Sequence, residues 1–143
     1  MMKQEFDLSY KDAQTAMMTI QTEALKRNKA VAIAVADTHG ELIAFLRLDA
    51  CPLPSILIAQ NKAFTAAREA KPTRDIGIKS RDPQHAFDIS YYGDMRYLGW
   101  AGGMPVIIDG KVAGSVAVSG LSGAEDMELA QMGVDVILNE NKK

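Results

Sequence analysis

Two short apolar runs separated by a turn are the feature that most restricts how this chain can fold. Ala30–Ala36 reads AVAIAVA, which predicts a strand buried on both faces. Asp37–Gly40 has the composition of a turn, and Glu41–Leu48 is a second apolar run that predicts a returning strand. So short a turn allows only antiparallel pairing, because a parallel crossover needs about a dozen residues. The fold therefore contains an antiparallel hairpin whose first strand needs cover on both faces.

Further strands are predicted in the second half of the chain. Asp109-Gly110 is a strong hairpin signal, and it separates the strand candidates Met104–Ile108 and Val112–Ser119. Arg96–Trp100 is another strand candidate. Thr73–Asp94 is the least regular part of the sequence, and a long loop inside a compact domain is often functional.

Apolar residues at three- and four-residue spacing predict helices at both ends of the chain. The first helix follows a capping-box pattern at Ser9 and Asp12 and ends near Asn28. The last helix follows a second such pattern, formed by Ser122 and Glu125. Both would lay an apolar stripe on the sheet.

Two more helices are predicted between the hairpins. One starts with Ser55 as N-cap, carries an alanine-rich face and ends by Lys71, because the residue before Pro72 is pushed out of the helical region. A short helix is predicted at Arg74–Lys79. The order of the elements predicts an α+β fold with helices packed on an antiparallel sheet.

Composition favours one globular domain spanning residues 1–143, with 48% hydrophobic and 24% charged residues. The net charge of -2 gives no broad attraction to nucleic acid or to an anionic membrane. The single cysteine, Cys51, rules out an intrachain disulfide. No apolar run approaches the ~20 residues of a membrane span, and residues 1–12 have no signal-like apolar stretch, so we expect a cytoplasmic protein.

Four segments, taken together and in order, resemble the GlcG/HbpS family, which includes the C-terminal domain of PduO-type proteins. They are VAIAVADTHGELIAFLRLD (31–49), SILIAQNKAFTAA (55–67), GGMPVIIDGKVAGSVAVSG (102–120) and AEDMELAQMGVDVI (124–137). The resemblance implies a profilin-like α/β/α sandwich with a five-stranded antiparallel sheet. It also implies homo-oligomers, and haem binding or haem degradation in some members. The loop Arg81–Asp94 matches no motif of the family, and we assign ligand specificity to it as a hypothesis.

Haem needs an axial ligand, an apolar slot and cations for its propionates. His39 lies in the first hairpin turn, whereas His85 lies in the irregular loop near Tyr91 and Tyr92. Histidine titrates near neutral pH, so His85 is a candidate for a ligand or for a catalytic acid or base. The thiol of Cys51 is a weaker candidate, since a partly buried thiol in a turn would also explain it.

Residues suited to an anionic group form a second set. Lys62 and Thr65 share one face of the alanine-rich helix, and a desolvated lysine there could bind an anion or act as a base. Ser119 and Gly120 lie between a strand and a helix N-terminus, where backbone N–H groups suit an anion. Arg47 starts a stretch ending at residue 81 with seven basic and three acidic residues.

The pattern of residues leaves three functions open. The first is a protein that binds, and in one version degrades, haem or a related tetrapyrrole. The second is an enzyme without a metal that acts on a small carboxylated intermediate, with Lys62 or His85 as acid or base and Arg47 or Arg74 holding the carboxylate. The third is an assembly or accessory module whose pocket is vestigial. No metal-ligand spacing is present, and Glu125, Asp126 and Glu128 are interpreted as favouring the positive end of the last helix.

Overall fold

The computed structural model describes residues 1–142, whose elements follow the predicted order except that Arg96–Trp100 is not a strand. The elements are α1 (Tyr10–Lys26), β1 (Ala32–Ala36), β2 (Leu42–Arg47), α2 (Ser55–Glu69), α3 (Thr73–Ser80), a short 3-10 helix (Ile89–Tyr92), β3 (Gly103–Ile108), β4 (Lys111–Ser119) and α4 (Gly123–Glu140).

The strands of this part of the chain form one antiparallel sheet in the order β2-β1-β4-β3. Strand β1 lies inside the sheet, and its Ala32 stands opposite Arg47 on one side and Ser119 on the other. All five β1 residues are buried, as the unbroken apolar run predicts. Both predicted hairpins are confirmed, because β1 pairs with β2 and β3 pairs with β4.

The expectation of a five-stranded sheet is wrong for residues 1–142, where the sheet has four strands. Arg96–Trp100, the additional strand candidate, is irregular. Its backbone is bonded to a helix side chain instead of a strand: Thr65 Oγ1 accepts from Leu98 N at 3.1 Å and donates to the carbonyl of Arg96 at 3.2 Å. These bonds satisfy polar groups that a sheet ladder would otherwise have used.

The sheet separates two helical layers, so the α/β/α layering that the resemblance implies is present. Helix α2 covers the face that carries small side chains, and α1 with α4 covers the face that carries branched ones such as Ile33 and Val35. The alternation of side chains along each strand produces this division. Alanines from α2, β1 and β4 form the first interface: Ala59, Ala63, Ala32, Ala34, Ala36 and Ala117.

The helix boundaries follow the capping residues at two of the predicted sites. Ser9 caps α1 with the full capping box to Asp12, and the Ser122 side chain accepts from the backbone N–H of Glu125 at 3.2 Å. The prediction for α2 is wrong by one residue, since Pro54 is its N-cap and Ser55 is its first helical residue. This shift places Ser55 inside the fold, with 6% of its surface exposed.

An apolar groove of about 810 Å³ lies between α1 and the edge strand β2. Met17, Met18, Phe45 and Leu46 contribute to its walls, and Met18 is 60% exposed. Within residues 1–142, no helix has the length and apolar content needed to cross a membrane.

Candidate functional site

A cavity of about 390 Å³ opens where α2, the β4–α4 loop and the start of α4 meet, and we call it the Lys62 cavity. Strand β4 ends here, and the turn into α4 brings polar backbone next to the middle of α2. The lining residues are Pro52, Ser55, Ile58, Lys62, Trp100, Ala101, Ser119, Gly120, Leu121, Gly123 and Asp126. The structure thus brings together three of the predicted anion-site residues, namely Lys62, Ser119 and Gly120.

Lys62 is held in this cavity by a buried ion pair. Its side chain is 3% exposed, and its Nζ donates to Asp126 Oδ2 at 3.1 Å and to the carbonyl of Val118 at 3.0 Å. The ammonium is therefore not free at the surface. It joins the middle of α2 to the end of β4 and to the first turn of α4.

Asp126 is the functional candidate that sequence reasoning missed. From the sequence, Asp126 is expected to favour the helix end as Glu125 and Glu128 do, but its side chain is 4% exposed and its Oδ1 accepts from Leu121 N at 3.0 Å. Glu125 and Glu128 instead point outward and contact Arg27. The spacing of these acids along α4 distinguishes them, since Asp126 lies on the same face as the buried Leu129 and Ala130.

Burial and charge act in opposite directions on this pair. Loss of solvation lowers the pKa of Lys62 and raises that of Asp126, and the opposite charge of each partner limits the shift of the other. Both shifts move the pair toward a neutral amine and a neutral carboxyl. A proton transfer between Nζ and Oδ2 is therefore easier here than between two exposed groups.

Gly102 is required for the pair because it forms the wall behind it. Its φ is +130°, and a Cβ at this position would lie 2.6 Å from Lys62 Nζ and 2.5 Å from the carbonyl oxygen of Val118. A side chain would displace the ammonium. In the sequence, the Gly102-Gly103 pair is the feature that could indicate such a close approach.

Thr65 does not line the Lys62 cavity, although it shares a helix face with Lys62. Its hydroxyl already has three partners, since it bonds to the carbonyls of Asn61 and Arg96 and to Leu98 N. Its side chain holds the segment before β3, so the role of Thr65 in this structure is to stabilise the fold.

The other predicted binding residues lie apart from the cavity. Arg47 is exposed at the end of β2, at the same end of the sheet as Ser119 but across β1 from it. His39 follows the opposite end of β1, and its side chain is 66% exposed beside Glu5. Arg74 is exposed and pairs with its neighbour Asp75 at 3.2 Å.

Cys51 lies next to the β4–α4 loop, since a Cβ on Gly120 would be 3.6 Å from the Sγ of Cys51. The residue is 7% exposed. Burial raises the pKa of its thiol, which disfavours the thiolate that an iron ligand or a nucleophile would require.

His85 lines a second recess of about 320 Å³, which we call the His85 groove. Its imidazole is 76% exposed, and Nδ1 lies 3.9 Å from Asp82 Oδ2. The remaining walls come from the end of α2, from α3 and from the loop: Glu69, Lys71, Ile76, Lys79, Phe87 and Tyr92. Two cations of the basic stretch, Lys71 and Lys79, therefore meet at one recess, while Lys62 belongs to the other.

A series of aromatic rings anchors the wall of the His85 groove on α2. The ring centroids of Phe64, on α2, and Tyr97 are 5.0 Å apart, and those of Tyr97 and Tyr92 are 4.7 Å apart. Tyr92 stacks on Phe87 with 5.8 Å between the ring centroids and 21° between the ring planes. Arg96 lies 3.8 Å over the Phe64 ring. The irregular segment is thereby fixed without regular secondary structure. Tyr91 is not part of this series and is 88% exposed.

No group of three or more His, Cys, Asp or Glu side chains is placed to hold a metal ion among residues 1–142.

Comparisons with known proteins are consistent across sequence and structure. Residues 8–135 match the family model for haem degrading protein HbpS-like. Protein GlcG of Escherichia coli K12 is 36% identical over 118 residues, which cover 82% of this chain and 85% of that protein.

Two solved structures are similar over nearly the whole chain. The Klebsiella pneumoniae protein ORFY has a TM-score of 0.90 at 28% identity, with 96% of this chain and 94% of that chain covered. A double mutant of Streptomyces reticuli HbpS has a TM-score of 0.83 at 28% identity, with 94% and 90% covered.

Proposed function

Because this chain belongs to the HbpS-like family, we propose that it binds haem, or a related tetrapyrrole, in the His85 groove. The observation that carries the proposal is the meeting of a histidine, two parallel aromatic rings and two lysines in one recess. Each of these groups answers one requirement of haem. The family description supplies the ligand class, and the groove supplies the residues.

The axial position would be taken by His85. Its ring is exposed, and Asp82 lies on the Nδ1 side, so a carboxylate can orient the ring and leave Nε2 for the iron. When bound, haem would supply an iron centre whose reactivity depends on that axial ligand.

The remaining walls suit the macrocycle and its acidic edge. The stacked rings of Phe87 and Tyr92 would pack against the macrocycle, and the ammonium groups of Lys71 and Lys79 would pair with the two propionates. Tyr92 would remain a phenol, because a hydrogen bond with Glu69 raises its pKa. It would therefore serve as a wall and not as a phenolate ligand.

The Lys62 cavity suits haem less well. Its lining contains no imidazole, and the nearby Cys51 thiol has a raised pKa. The Lys62–Asp126 ion pair also forms part of the wall of this cavity of about 390 Å³. A flat apolar ligand placed against the pair would offer no hydrogen bond to either charge.

Haemin titration of two matched histidine variants tests the proposal. His85→Ala removes the expected ligand, and His39→Ala removes the other histidine of the chain, which is also exposed. The wild type and His39→Ala should show a shifted, saturating Soret band at about one haem per chain, whereas His85→Ala should bind at least ~10-fold more weakly.

Three results would contradict the proposal. They are the absence of a Soret shift in the wild type, equal bands in both variants, and loss of the band in His39→Ala alone. Ascorbate added in air to the haem complex separates binding from degradation. A persistent Soret band indicates binding alone, and a decaying band indicates haem turnover.

A further inference from the structure

We infer that Lys62 captures a small carbonyl compound, an aldehyde or a 2-oxo acid, as an imine inside the Lys62 cavity, with Asp126 as the proton carrier. This site is separate from the His85 groove and does not depend on haem. The inference rests on three features of the cavity: the placement of the amine, its partner, and the groups that surround them.

The first feature is an amine that is buried but lines a cavity. Lys62 is 3% exposed, yet it is part of the wall of a recess of about 390 Å³, which has room for a molecule of a few heavy atoms. Burial also lowers the pKa of this amine, which increases the fraction in the nucleophilic free-base form.

The second feature is a carboxylate at proton-transfer distance. Asp126 Oδ2 lies 3.1 Å from Lys62 Nζ, and Oδ1 is held by Leu121 N, so the carboxylate has a fixed orientation. It can take a proton from the ammonium and return it to the carbonyl oxygen.

The steps balance without an oxidant or a metal. The Nζ lone pair attacks the carbonyl carbon, the C–N bond forms, and the carbonyl oxygen takes a proton from Asp126 to give a carbinolamine. Nitrogen then passes one of its two protons to Asp126, which gives it to the hydroxyl, and the hydroxyl leaves as water while the nitrogen lone pair forms the C=N bond. The products are the protonated Lys62 imine, which pairs with the Asp126 carboxylate, and one water molecule.

The third feature is the polar surroundings of the amine. Ser55, Ser119 and Gly123, the first residue of α4, line the same cavity. The N–H groups of a first helical turn have no acceptor within the helix, so they can bind a carbonyl or carboxylate oxygen. The indole of Trp100, which is 63% exposed, borders the cavity on another side.

Borohydride trapping tests the inference directly. The wild-type protein is incubated at neutral pH with pyruvate or with acetaldehyde, reduced with borohydride, and mapped by peptide mass spectrometry. Because burial lowers the pKa of Lys62 and the cavity gives a small carbonyl compound access to its amine, we expect Lys62 to be labelled several-fold more than exposed Lys111.

Two arginine variants provide the matched control. Lys62→Arg keeps a cation beside Asp126 but cannot form an imine, so this variant should show no preferentially labelled position. Lys111→Arg should still be labelled preferentially at Lys62. Circular dichroism checks that both are folded, and if Lys62→Arg is not folded, the wild-type map decides alone.

The outcomes separate clearly. Preferential labelling of Lys62 by pyruvate assigns a 2-oxo acid, and preferential labelling by acetaldehyde assigns a simple aldehyde. Labelling spread over the exposed lysines, or an unmodified Lys62, overturns the inference. Haemin titration of Lys62→Arg should be unchanged, so failure of one proposal is distinguishable from failure of the other.

Discussion

Replacing Asp126 by asparagine should destabilise the fold strongly, because it leaves the ammonium of Lys62 buried without its counter-charge. The two groups are 3.1 Å apart, and at an effective dielectric constant of about 20 the attraction between unit charges is about 5 kcal/mol. Removal of one partner from a buried pair typically costs about 3–5 kcal/mol. At about 2–4 °C per kcal/mol for a domain near this size, the melting temperature should fall by about 6–20 °C.

The free energy of unfolding of Asp126→Asn should depend on pH. Without Asp126, the pKa of Lys62 should fall further below its ordinary value, so the folded state binds fewer protons than the unfolded state. The stability of Asp126→Asn should therefore rise with pH toward the ordinary lysine pKa of about 10.4, with a slope approaching ~1.4 kcal/mol per pH unit.

Lys62→Met should show the opposite slope. It leaves Asp126 buried without a cation, and the pKa of this carboxyl should rise further above its ordinary value. The folded state then binds more protons than the unfolded state, so the free energy of unfolding should fall as pH rises above about 3.9. The variant should be relatively most stable in acid.

Urea unfolding of the wild type, both single variants and the double variant Lys62→Met/Asp126→Asn, at several pH values, measures these effects. The double variant carries neither charge, so its loss should be smaller than the sum of the single losses by several kcal/mol. Additive losses, or single variants whose stabilities change with pH in the same direction, would refute the assignment of a buried, mutually dependent ion pair.

Two further predictions concern residues near the Lys62 cavity, and a third concerns the groove between α1 and β2. Gly102→Ala should cost at least about 2 kcal/mol in urea unfolding, because its φ of +130° disfavours a side chain and a Cβ would lie 2.5 Å from a carbonyl oxygen; a change within error would contradict this account. Thr65→Val should cost about 1–3 kcal/mol by removing the hydroxyl that bonds to Leu98 N, with Thr15→Val as the exposed control. We also expect a homo-oligomer that uses the groove between α1 and β2, so Met18→Lys should lower the mass measured by light scattering, and an unchanged oligomer would exclude this surface.

The local signals of the sequence predict most of the fold. The apolar run of β1, the Asp109-Gly110 turn and the serines before α1 and α4 depend on neighbours within a few residues, and each prediction matches the structure. The strand prediction for Arg96–Trp100 is wrong because the backbone of this segment bonds to the Thr65 side chain, and Thr65 is 33 positions away from Leu98 in the sequence. A hydroxyl inside a helix gives no local sign that it will replace a strand partner.

The candidate site follows the same division. Lys62 was identifiable because a charge in an alanine-rich helix face is conspicuous by itself. Asp126 was not, because it stands in a first helical turn beside Glu125, where acids are expected for the helix dipole, and its partner is 64 positions away. The face of α4 that carries Leu129 and Ala130 could have identified Asp126 as the acid that points inward.

The two candidate sites also differ in how closely they are tied to the fold. Lys62 and Asp126 connect α2, β4 and α4, so a substitution in the Lys62 cavity disturbs the packing of the layers as well as any ligand. His85 lies on a loop that is held by aromatic contacts through Tyr97 to Phe64. Side chains along that loop can therefore change without altering the sheet. Substitutions around His85 can therefore reshape that groove while the fold is kept, whereas substitutions at Lys62 or Asp126 also change the junction of α2, β4 and α4.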